Sequence, residues 1–121
     1  MNEWKWPELR LLFHVPNEGK RSRSTGGRMV KEGLKKGVPD IILPVPRGAY
    51  HGLFIEMKRV SGSRVSAEQR QWLQDLCEQG YAAAVCYGWK AASECIKTYI
   101  QEKKMEPQTE WRNKNGIRYE S

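Results

Sequence analysis

Two apolar runs, DIILPV (40–45) and LFIEMKR (53–59), stand only seven residues apart, and that spacing constrains the fold more than any other feature. The connection, PRGAYHG, has turn chemistry and is too short for the crossover that parallel strands require, so the runs are expected to pair as antiparallel neighbours. Both carry charge where a merely structural strand would not: Asp40 opens the first run, and Glu56 and Lys58 close the second.

The flanking segments supply layers for this sheet. In WKWPELRLLFHVP, Pro7 suits a first helical turn, and the apolar LLFHV that follows reads as a strand. NEGKRSRSTGG reads as a loop. Ser24 or Thr25 is expected to cap a helix to about Lys36, with Met29, Val30 and Leu34 inward, although Gly26, Gly27 and Gly33 disfavour it. Ser66-Ala67-Glu68-Gln69 has capping-box spacing, Trp72, Leu73, Leu76 and Cys77 form an apolar stripe, and Gly80 ends that helix. YAAAVCY reads as a buried strand of small residues. Lys90 to about Lys103 reads as a last amphipathic helix with Ala92, Cys95, Ile96, Tyr99 and Ile100 inward. The tail from Met105 (105–121) loses periodicity and is expected to be loosely ordered. The fold class is therefore α/β, a mixed sheet flanked by helices.

At 121 residues the chain fits one domain. No apolar run approaches the roughly 20 residues that cross a bilayer, and the charged, proline-containing MNEWKWPELR is unlike a signal peptide, so a cytoplasmic location is expected. Cys77, Cys86 and Cys95 are odd in number and lie in apolar segments, which suits buried thiols rather than a zinc site or disulfides. The net charge is +7. Between Gly19 and Gly37, Lys20, Arg21, Arg23, Arg28, Lys31, Lys35 and Lys36 face a single acid, Glu32. Such a run suits a polyanion, because neutralised phosphates release counterions; a solvated face would read the same.

In a strand, alternate side chains share a face. Leu53, Ile55 and Met57 point one way, while Phe54, Glu56 and Lys58 point the other, with Glu56 and Lys58 about 6–7 Å apart along the strand. If Asp40 begins the neighbouring strand, its carboxylate approaches Glu56. Adjacent carboxylates repel unless one is protonated or a cation joins them, and Mg²⁺ takes one or two carboxylates with water and phosphate oxygen. That arrangement suits phosphodiester hydrolysis, with Lys58 stabilising charge or positioning water. An exposed Asp–Lys–Glu cluster with ion pairs worth about 0–1 kcal/mol would carry the same short pattern.

The wider context is fuller. HVPNEGKRS, GLKKGVPDIIL, GLFIEMKR, VSAEQRQWL and QGYAAAVCYGWKAA, in that order from about His14 to Ile100, resemble the virus-type replication-repair nuclease (VRR-NUC) domain of the PD-(D/E)xK nuclease superfamily. The resemblance implies a restriction-endonuclease-like core of α-β-β-β-α-β type, with residues 1–104 as the nuclease domain. It implies Asp40 and Glu56 as metal-binding acids, the Met57 carbonyl as a further ligand, and Lys58 as the catalytic lysine. Gln69 matches the glutamine beside the reaction centre, though its capping-box role is an equal reading. His14 and Asn17 match a strand-to-loop motif on the substrate side or with a structural role. The family brings a further acid from an N-terminal helix; Glu3, Glu8 and Glu18 are available here, and Glu8, after Pro7, is preferred. The nucleic-acid-binding set is Asn17, Lys20, Arg21, Arg23, Arg28, Lys35, Lys36 and Arg59.

By this resemblance the chain is expected to be a Mg²⁺- or Mn²⁺-dependent, structure-selective DNA endonuclease in phage or bacterial replication or repair. It would cut branched DNA such as four-way (Holliday) junctions as a homodimer, whose two-fold axis supplies two sites. Trp4, Trp6, Tyr87, Trp89 and Tyr99 exceed the needs of a small core, and some would serve a dimer interface. A non-catalytic nucleic-acid-binding module and a restriction-type duplex endonuclease are the alternatives.

Overall fold

The pairing expected from the short connection is present: β2 (Ile41–Leu43) and β3 (Leu53–Lys58) run antiparallel, in register from Ile41↔Ile55 to Leu43↔Leu53. The structure, a computed structural model, describes residues 5–16, 37–101 and 117–120. Pro7–Leu11 forms a single 3-10 turn with proline at its start, and β1 (Phe13–His14) follows and pairs antiparallel with β2. The helix expected up to Lys36 lies outside the described residues.

After β3 the chain forms helix α1 (Ala67–Glu78), strand β4 (Ala82–Tyr87), helix α2 (Trp89–Ile100) and strand β5 (Ile117–Glu120). The sheet order is β1-β2-β3-β4-β5, antiparallel up to β3 and parallel from β3 to β5. The fold is the mixed-sheet α/β architecture of the sequence reading, with one correction. Within the tail taken as loose, Ile117–Glu120 completes the sheet, with Ala83↔Ile117 and Cys86↔Glu120 in register, and Ile117 is fully buried.

The two helices cover opposite faces. Leu73 and Cys77 of α1 pack on Ala83, Val85 and Ile117, while Ala92, Cys95, Ile96 and Tyr99 of α2 pack on Ile41, Leu43, Ile55 and Ala84. This explains the small residues of YAAAVCY: β4 is buried on both faces and short side chains let both helices approach. Each fully buried Leu or Ile contributes about 1.5–3 kcal/mol. The hydroxyl of buried Tyr99 donates to the Val45 carbonyl at 2.6 Å, so the phenol enters the core without an unmet polar group. Cys77, Cys86 and Cys95 are free and buried; contact with the Cys86 thiol and burial push the Cys95 thiol up. No helix among the described residues is long and apolar enough to cross a membrane.

Candidate active site

The site begins where the β2–β3 ladder stops. Carried one step past Ile41↔Ile55, the register sets Asp40 opposite Glu56; two steps set Pro39 opposite Met57. The backbone N–H of Val15 donates to the Asp40 carbonyl at 2.7 Å, so the Asp40 peptide faces β1 and its neighbours face β3. Proline has no N–H to give to the Met57 carbonyl, which is left without a ladder donor opposite it. The Met57 N–H turns to the Asp40 carboxylate, donating to Oδ2 at 2.7 Å. This backbone bond fixes Asp40 against the next strand and accounts for an acid after a proline at a strand entry.

Glu56 lies on the α1 side of the sheet, 1 % exposed. The exposed Asp–Lys–Glu cluster that the short pattern also allowed does not hold, because helices cover both faces and Asp40 and Glu56 are both buried. Its Oε2 accepts from Gln69 Nε2 at 3.0 Å and lies 3.8 Å from Lys58 Nζ, while Oε1 is buried with no hydrogen-bond partner among the described residues. Burial, then the charge of Asp40, pushes the Glu56 pKa from 4.5 up to about 8, against the pull of Lys58. Two ionised carboxylates have no proton to share, so Oε1 stays unpartnered while both are charged; a proton on Glu56 lets it bond Asp40, a further upward push.

Gln69 combines the helix cap with contacts to Lys58 and Glu56. Ser66 caps α1 in a complete capping box: its Oγ accepts the Gln69 N–H at 3.1 Å and its N–H donates to Gln69 Oε1 at 2.8 Å. The same Oε1 accepts from Lys58 Nζ at 2.7 Å. One amide thus caps the helix, holds the lysine with its oxygen and holds the glutamate with its nitrogen. A Ser-x-x-Gln spacing signals the cap; only the fold reveals the other two bonds.

Asp40, Glu56, Met57 and Lys58 line one cleft of about 540 Å³ with His14, Arg59, Gly62, Ser63 and Arg64. Sequence reasoning reached His14 and Arg59 but passed over Arg64 and Ser63. Glu8 is not in this cleft: its carboxylate pairs with Arg47 at 2.5 Å, and Arg47 also donates to the Ile100 carbonyl at 2.9 Å, which ties Glu8 to the end of α2. Among the described residues no third His, Cys, Asp or Glu joins the pair of carboxylates. Glu3, Glu18 and, of the expected nucleic-acid-binding set, Asn17, Lys20, Arg21, Arg23, Arg28, Lys35 and Lys36 lie outside the described residues.

A hard divalent cation fits this donor set. Two carboxylates stand at adjacent register positions, one with a buried oxygen no protein group satisfies, beside a carbonyl with no ladder donor opposite it. The chemistry open to such a site, with a fixed lysine at its rim, is hydrolysis of a phosphate ester.

Comparison with known proteins agrees with this geometry. The VRR-NUC domain family model matches residues 3–90. One solved structure, described as a VRR_NUC domain protein, is 30% identical over 80% of this chain and 73% of its own, with a TM-score of 0.68. No curated protein matches the chain. With the family model spanning most of its length and a structural relative sharing its fold, the chain belongs to the VRR-NUC domain family, a family of nuclease type.

Proposed function

We propose that the protein is a metal-dependent, structure-selective DNA endonuclease, acting on branched DNA such as four-way junctions and working as a homodimer. The observation that carries this reading is Glu56: a buried carboxylate with one oxygen unsatisfied, set opposite Asp40 and held in place by Gln69. A chain that needed only stability would not keep it, since once Glu56 is ionised beside Asp40 its unsatisfied buried oxygen costs about 1–3 kcal/mol or more.

Asp40, Glu56 and the Met57 carbonyl would hold Mg²⁺ or Mn²⁺. When bound, the cation supplies a lowered water pKa and neutralises charge growing on the phosphate oxygens. The chain's own groups do the rest. Gln69 fixes Glu56 through Oε2 and leaves Oε1 for the ion. The Lys58 ammonium spends one N–H on Gln69 and keeps others for a phosphate oxygen. Water oxygen forms the new P–O bond, one bridging P–O bond breaks, and the leaving sugar oxygen takes a proton. A dimer would present two such clefts to the two strands that a junction must lose symmetrically.

The test is cleavage of a labelled four-way junction beside linear duplex and single strand, with Mg²⁺, Mn²⁺ or EDTA. Metal-dependent cutting that prefers the junction and is lost in Asp40→Asn and Lys58→Ala supports the reading. Salt-sensitive binding without cutting in any metal, unchanged in both variants, assigns the protein to nucleic-acid binding alone.

A further inference from the structure

The cleft is lined by two chemically distinct groups: Asp40, Glu56 and Lys58, and the loop between β3 and α1, Arg59-Val60-Ser61-Gly62-Ser63-Arg64, of which Arg59, Gly62, Ser63 and Arg64 line the cleft. The loop is closed on itself: Ser63 Oγ accepts the Arg59 N–H at 3.1 Å and Arg59 Nε at 3.4 Å. The second bond occupies the Nε of the Arg59 guanidinium and leaves its terminal N–H groups. Neither Arg59 nor Arg64 is taken up by a carboxylate among the described residues, and both line the cleft. Between them Gly62 adopts φ +74°, and a Cβ built there meets nothing within 4 Å; the wall at this point is bare backbone facing open space.

The volume fits a ligand larger than one phosphodiester. About 540 Å³ lies within the roughly 300–1,000 Å³ range of small-molecule sites. Two arginines on a fixed loop, with bare backbone between them, suit a phosphate, since guanidinium groups give paired N–H donors to phosphate oxygens.

We propose that this loop is a second phosphate subsite, which holds the phosphate one nucleotide from the bond that is cut, on the same strand. The inference rests on the nuclease reading and deepens it: the preferred substrate is an internal bond of a polynucleotide, and a bond without that neighbouring phosphate is a poor one. The subsite sits beside the reaction centre because the loop that carries Arg59 and Arg64 begins where β3 ends at Lys58, and all three residues line the same cleft.

The experiment uses the full chain carrying Asp40→Asn, in EDTA, so that binding is read without turnover. Affinity for a fluorescent single-stranded oligonucleotide is measured against salt for this protein and for the same protein with Arg59→Ala and Arg64→Ala. Each phosphate contact contributes about 0.7 to the slope of log K against log salt for a single strand. The double substitution is expected to lower that slope by about one contact and weaken binding about ten-fold, with an unchanged melting temperature. Arg64→Lys keeps the slope. In the cutting-competent protein, a neutral methylphosphonate one nucleotide from the mapped cut is expected to lower kcat/KM about ten-fold, and to have no further effect once both arginines are gone. An unchanged slope, or equal losses from the methylphosphonate with and without the arginines, overturns the subsite. Failure to cut in any metal while the slope falls as expected would sink the nuclease reading and leave the phosphate site standing.

Discussion

Lys58 Nζ stands 3.8 Å from Glu56 Oε2, and the amide of Gln69 spans the gap, accepting from the lysine at 2.7 Å and donating to the glutamate at 3.0 Å. The ammonium and the carboxyl are held near each other without a direct hydrogen bond between them. A direct contact would spend both on one another; here the lysine keeps donors and the glutamate keeps an oxygen for a substrate and its counter-ion.

Gln69→Ala removes the bridge and half of the capping box together. The loss is expected to be about 1 kcal/mol of stability from the cap and roughly 10–100-fold in kcat from the freed lysine and glutamate. Thermal melts and single-turnover cleavage separate the two effects. A kcat within two-fold of wild type would remove Gln69 from the reaction centre.

Glu56 makes the metal-free protein pH-sensitive in a direction opposite to that of an ordinary salt-bridged acid. Its pKa is about 8 in the folded state against 4.5 in the free side chain, so between those values the folded protein holds a proton that the unfolded chain releases. The contribution is full below about pH 4.5 and is lost as the pH rises towards 8, by up to about 1.4 kcal/mol per pH unit. Denaturant midpoints in EDTA should fall across that range, recover on adding Mn²⁺ at pH 8, and flatten in Glu56→Gln. Parallel curves for the wild type and Glu56→Gln would sink this account.

Glu8→Gln should leave cleavage within two-fold of wild type, because Glu8 is tied to Arg47 outside the cleft. The lost pair is expected to cost at most about 1 kcal/mol. A large fall in Mg²⁺ affinity in this variant would return Glu8 to the role that the family pattern suggests.

Gly37 marks a contact between the segment that carries Asp40 and the helix turn that carries Gln69. A Cβ there would lie 2.9 Å from the Glu68 carbonyl carbon and 3.1 Å from the Gln69 nitrogen, at a φ of +85°. Gly37→Ala is expected to cost about 1–3 kcal/mol and to lower kcat well below the melting temperature, since the turn must move. Loss of stability with unaltered kcat would show that the contact is only structural.

Ile117→Ala should destabilise by about 2–5 kcal/mol, the range for emptying a packed site. Ile117 is 1 % exposed and packs with Leu73 and Val85. A change within about 0.5 kcal/mol in a urea titration, the range of a surface substitution, would mean that β5 contributes no core.

What was legible in the sequence was local. Ser66 and Gln69 announce a helix start within four residues, the seven-residue connection fixes the sense of β2 against β3, and small residues announce β4. What was missed depends on distant partners. β5 has only four residues, too few to show alternation, and exists because β4 offers it an edge. Glu8 was read from its place after Pro7, but Arg47, 39 residues away, decides where its charge goes. Arg64 looked like any loop cation until the fold brought it into the lining of the cleft that holds Glu56.

Pro39 has a consequence for how such a sheet can change over time. Where two antiparallel strands meet, pairing tends to run on until something halts it, and here the halt is a residue with no hydrogen to give. The location of the chemistry is thereby written in the main chain. The strands on either side can exchange one apolar side chain for another and the acids will still emerge at the same rung. Putting any other amino acid at 39 supplies the missing donor, allows the strands to close by one more pair, and seals the carbonyl of Met57 inside an ordinary sheet.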